Sequence, residues 1–65
     1  MSRASATVRF QTRTILAVCV HAERSDEDVW LPLSQVDLDP PAPLMRGEEI
    51  TVYADERVLK QKGLL

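Results

Sequence analysis

Cysteine is almost absent from this chain of 65 residues: Cys19 stands alone. An intrachain disulfide is therefore excluded, and so is a zinc site built on several thiolates at short spacing. A lone thiol also fits a reducing compartment. Glycine is scarce, with only Gly47 and Gly63, and no glycine-rich phosphate loop is present. The aromatic residues are few and dispersed: Phe10, Trp30 and Tyr53. No apolar run approaches the roughly 20 residues needed to span a bilayer. The first residues, Met1 to Thr7, are small and polar, unlike the apolar stretch of a secretion signal. These absences lead us to expect a soluble, cytoplasmic protein without membrane contact. The net charge of −2 gives no drive towards duplex DNA or an anionic membrane.

What is present is enough for a small core. Hydrophobic residues make up 45% of the chain. A domain of this size buries only about 60% of the surface its unfolded chain exposes, so its stability is marginal. Disulfides, metals and oligomerisation are the usual remedies. With cysteine so scarce, oligomerisation is the one left open, and a homo-oligomer is expected. Charge is unevenly spread. Arg3, Arg9 and Arg13 make the first segment basic, whereas Glu23, Asp26, Glu27, Asp28, Asp37 and Asp39 make the middle acidic. Two solvated faces are the ordinary reading of such a split; pairing within or between chains is the other.

Periodicity points to strands. Residues 1–6 read as a flexible N-terminal tail, and 7–65 as one small β-rich domain. Val8 and Phe10 alternate with Arg9 and Gln11, and alternation runs again from Thr12 to His21. Both faces are apolar from Ile15 to Val20, which suggests a strand buried on two sides or at a subunit contact. The polar run Glu23–Glu27 has hairpin length. Asp28–Leu33 reads as the next strand, at an edge or bent where Pro32 lacks its N–H. Ser34-Gln35-Val36 reads as a tight turn that Ser34 would cap. Asp39-Pro40-Pro41-Ala42-Pro43 is a stiff extended loop, and Arg46-Gly47-Glu48 a turn. Glu49–Tyr53 is a third strand with Ile50 and Val52 inward. Asp55 is a good helix N-cap, Glu56 suits the first turn and Lys60 and Lys62 the last. Gly63 matches the left-handed closing position, with Leu64 poised for the hydrophobic contact of a Schellman ending. So short a helix must pack on the sheet, through Val58 and Leu59.

The segment Val29-Trp30-Leu31-Pro32, followed by Ser34-Gln35-Val36, and the ending Lys62-Gly63-Leu64 together resemble a class of small phage and prophage accessory proteins. Those proteins carry an apolar strand, a VW-I/L-P-x-S-Q-I/V segment, a variable polar loop, and a final strand and helix ending in K-G-L. The resemblance covers most of the chain from Ile15 onwards. Leu33 stands where a Lys is common, and Arg57 lies near the place of a Trp often found in the last helix. The resemblance implies a phage accessory gene rather than a virion shell or tail part. It names no ligand.

No nucleophile–base pair, metal cluster or cofactor signature accompanies these motifs, so neither an enzyme nor a cofactor is expected. The candidate binding residues are Arg9, Arg13, Trp30, Ser34, Gln35 and Arg46. Guanidinium groups match phosphate oxygens bidentately, and a Trp can stack on a base. Ser and Gln supply hydrogen bonds beside an apolar wall. Each has a plainer reading: solvated arginines, a packed Trp, a Ser that closes its own turn. Tyr53 and Arg57 would join an anion site at the strand–helix junction, where Asp55 and Glu56 oppose one. His21 reads as a surface histidine at a strand end and Cys19 as a buried, inert thiol. The expected architecture is mainly β: a small bent antiparallel sheet, SH3-like or barrel-like, with one short C-terminal helix. The expected function is a non-enzymatic counter-defence protein that occupies a host defence protein or sequesters a nucleotide-type immune signal. A small nucleic-acid-binding module for phage replication or recombination is the alternative.

Overall fold

The computed structural model describes residues 2–41 and 45–65. Its strands follow the period-two pattern: β1 (Arg3–Arg13), β2 (Ala17–Ala22), β3 (Glu27–Pro32), β4 (Val36–Asp39) and β5 (Glu49–Asp55), followed by helix α1 (Glu56–Gln61). All neighbours pair antiparallel in one sheet of order β3-β2-β1-β5-β4. The architecture is thus mainly β with one short C-terminal helix.

The sheet is bent, and chain connectivity shows why. Strands β3 and β4 occupy opposite edges, yet only residues 33–35 separate them. A flat five-stranded sheet would hold its edges about 19 Å apart. Four residue steps reach about 14 Å at full extension, so the sheet must curl. Strand β1 is where it does so. Its first part, Arg3–Arg9, pairs with β5, and its last part, Arg9–Arg13, pairs with β2. Between Phe10 and Thr12 the register with β2 shifts. Gln11 is the additional residue of this bulge, which locally bends and twists a strand.

The curl wraps the sheet around one core. Val8 and Phe10 of β1 meet Val18, Val20 and Ala22 of β2, Leu31 of β3, Val36 of β4 and Ile50, Val52 and Ala54 of β5. Helix α1 closes it with Leu59, while Val58 packs at its margin. Asp55 caps the helix by accepting from the Arg57 N–H at 2.9 Å. The Gly63 N–H donates to the Lys60 carbonyl and the Leu64 N–H to the Leu59 carbonyl. With Gly63 at φ +75° this is the Schellman ending, and buried Leu64 supplies its apolar contact.

Three expectations need correction. Residues 3–6 are ladder residues of β1 rather than tail, because β5 offers each a partner, Asp55, Ala54, Tyr53 and Val52 in turn. The run from Thr12 to His21 is two strands: Thr14 Oγ1 accepts from the N–H groups of Leu16 and Ala17, and this side-chain turn breaks the run. Ile15 and Leu16, expected to be buried, are therefore 92% and 77% exposed. Val36–Asp39, expected as turn and loop, forms edge strand β4 against β5. Of the proline loop, Ala42 and Pro43 lie outside the described residues. Pro32 ends edge strand β3, where its missing N–H interrupts no ladder.

Candidate functional site

Four of the six residues singled out from the sequence are spread over the outer face and loops. Arg9 projects outward from β1, opposite His21 of β2 and Glu49 of β5. Its Nε donates to Glu23 at 2.6 Å and its Nη1 to the Gly47 carbonyl at 3.1 Å. It thereby ties the β2–β3 turn to the loop before β5. Arg46 Nε donates to Gln11 Oε1 at 3.3 Å, and Arg13 Nη1 to the Pro41 carbonyl at 3.4 Å. Trp30 sits across from Cys19 on the outer face and is 48% exposed. These side chains do not converge on one pocket within the chain.

Ser34 and Gln35 behave differently. They line an open cleft of about 560 Å³ between the β3–β4 turn and helix α1. Arg3 enters from the start of β1, Asp55 from the end of β5, and Arg57, Val58 and Gln61 from α1. The turn holds its shape through the Gln35 N–H, which donates to the Pro32 carbonyl. Arg3 pairs with Asp37, and Arg57 with Asp55 at 3.7 Å. Arg57 had a visible signal in its position beside the strand–helix junction. Arg3 did not, because a segment read as tail places no side chain anywhere.

A second surface is apolar. Ile15 and Leu16 crown the β1–β2 hairpin with almost all of their surface in solvent. The Leu33 N–H donates to the Leu16 carbonyl at 2.9 Å, which sets the hairpin crown beside the β3–β4 turn. Leu33 then lines a shallow groove of about 280 Å³ with Val36, Leu38 and Pro41, flanked by Arg13 and Asp37.

The two reactive side chains lie elsewhere. His21 is held at both ring nitrogens, Nδ1 by Asp28 at 3.0 Å and Nε2 by Asp26 at 3.1 Å. The Asp28 hydrogen bond raises its pKa, partial burial opposes, and Asp26 adds to the rise. Cys19 is buried. Burial raises its pKa first and the Asp28 charge second, against a smaller lowering by Arg46. A thiol so placed is a poor nucleophile. Phe10 belongs to the core, so it cannot join Trp30 and Tyr53 in stacking bases.

No protein-family model, curated protein or solved structure matches this chain.

Proposed function

We propose that the protein is a non-enzymatic binding protein that acts by occupying another protein, through the apolar hairpin crown of Ile15 and Leu16. The carrying observation is the hairpin crown: two adjacent aliphatic side chains, 92% and 77% exposed, at a turn where a soluble chain ordinarily places Gly, Asn, Asp or Ser. Burying these two side chains against a partner would remove apolar surface from water and so favour association. The resemblance of its Val29–Val36 segment to phage accessory proteins supports reading the target as a bacterial defence protein that the phage gains by blocking. The signal-sequestering form of this reading has less support, because Arg9, Arg13, Trp30 and Arg46 do not line a common pocket in one chain. Nucleic-acid binding has less again, since the β4 edge presents Asp37 and Asp39 and the aromatic side chains are divided between core and surface.

The test is affinity capture from host-cell lysate with the natural chain and with the double variant Ile15→Asp, Leu16→Asp. The natural chain retains a defined host protein and the double variant does not. Equal retention by both would defeat the assignment of the crown as the contact. Sedimentation of the purified chain completes the test: an oligomer that the same substitutions dissociate would make a second copy the occupant.

A further inference from the structure

We infer that the free edge of β3 is a docking surface for an extended basic segment of another protein, which would add to the sheet as a further strand. The segment would carry Arg or Lys across from Asp28 and Trp30, with a small aliphatic residue between them. This edge is separate from the hairpin crown and does not rest on the crown being a contact.

Register fixes which backbone groups of β3 face outward. The Leu33 N–H donates to the Leu16 carbonyl, and the register runs on from there, from Ala17 opposite Pro32 to His21 opposite Asp28. Hydrogen-bonded and non-bonded pairs alternate along an antiparallel ladder. Val29 and Leu31 therefore spend their backbone groups on β2, whereas Asp28, Trp30 and Pro32 turn theirs to the edge. Strand β3 has no neighbour on that side. The Gln35 N–H takes the Pro32 carbonyl. The N–H and C=O of both Asp28 and Trp30 are left to template an added strand. Such addition draws affinity from main-chain hydrogen bonds and specificity from alternate side chains.

The side chains choose the occupant. Asp28 and Trp30 share the outer face, opposite His21 and Cys19, and Trp30 is half exposed there. A residue directly across from either would bring its Cβ within about 5.5 Å. A cation opposite Trp30 can lie over the indole face and reach Asp28 on the diagonal. Asp28 gives Oδ1 to His21, and an ionised carboxylate has further acceptor sites. Glu27 is exposed at the start of the strand and joins no ion pair among the described residues. Between Asp28 and Trp30, Val29 packs against the core, so the residue across from it is aliphatic. A second copy is a poor occupant, because pairing two β3 edges sets the Asp26–Asp28 acidic runs of both chains along one junction.

Backbone NMR of the purified chain, titrated with a short peptide of alternating Arg and Val, tests this directly. The expected result is saturable shifts at the Asp28 and Trp30 amides and the Trp30 indole, with both amides gaining protection from solvent exchange. The same peptide N-methylated at its arginines loses the required donors and should not bind. Trp30→Ala should weaken binding by about two- to fivefold, the size of an exposed cation–π contact. Peak dispersion reports that the variant folds. Equal binding of a Glu–Val peptide would overturn the proposal, as would linear, unsaturated shifts or N-methylation without effect. Protection of the same amides that rises with protein concentration before any peptide is added would make a second copy the occupant, and would overturn it as well.

Discussion

Strand β2 carries a turn at each end, and the two are built on opposite principles. The β2–β3 turn, residues 23–26, is covered with charge. His21 bridges Asp26 and Asp28, and Glu23 takes the Arg9 guanidinium. The β1–β2 turn puts Ile15 and Leu16 into water and is held by the Thr14 hydroxyl and by backbone bonds from the Thr14 N–H to Ala17 and from the Leu33 N–H to Leu16. Solubility explains the first turn. It cannot explain the second, where exposing two aliphatic side chains favours association. A chain with so small a core would place such residues inside if folding alone selected them. The contrast is the main reason to assign the crown to a partner.

The two turns and the core should respond to substitution on separate scales. The largest loss belongs to the core between them. Leu31→Ala removes a fully buried side chain from β3 and should lower unfolding stability by about 2–5 kcal/mol, enough to unfold much of the population of so small a domain. Thermal or urea denaturation reads this. Breaking the charged turn should do far less: Arg9→Met removes an exposed pair and should shift stability by about 0–1 kcal/mol, with the shift shrinking in high salt. Smallest should be the crown, since Ile15→Asp with Leu16→Asp should change stability by less than about 0.5 kcal/mol while abolishing capture of the partner. A large destabilisation by that pair would mean the crown packs in the fold, and the contrast between the turns would fail.

Acidity sharpens the same comparison. The folded pKa of His21 is raised, chiefly by Asp28, so folding favours the protonated ring. Its contribution is fully present below the unfolded value of about 6.5. It is lost as pH rises through the folded value. The natural chain should therefore exceed His21→Asn in stability at mildly acid pH, and the difference should diminish as the solution is made alkaline. A difference that is constant across this range would show that the Asp26–His21–Asp28 contact does not depend on charge.

Much of this fold was legible because its signals are local. The Asp55 cap, the Gly63 ending and the alternation of Ile50 and Val52 each sit within a few residues of what they determine. Residues 3–6 gave no such signal: Ala4, Ser5 and Ala6 have weak strand preference, and β5 imposes the strand on them through pairing. Strand β4 was hidden for the same reason, with two aspartates in four residues and proline after it. The β1–β2 turn contains no Gly, Pro, Asn or Asp, so the apolar run Ile15–Val20 read as continuous. In the cleft, Ser34, Gln35 and Arg57 were visible as polar residues beside a turn and a helix start. That Arg3 joins them depends on a ladder that no local pattern announces.

The most direct measurement is native mass spectrometry of the protein purified from phage-infected bacterial cells, beside the Ile15→Asp, Leu16→Asp variant prepared in the same way. The account predicts a defined complex of the natural chain with one host protein, and its loss in the variant. The bare chain in both preparations, or a host-protein complex that survives the two substitutions, would contradict it.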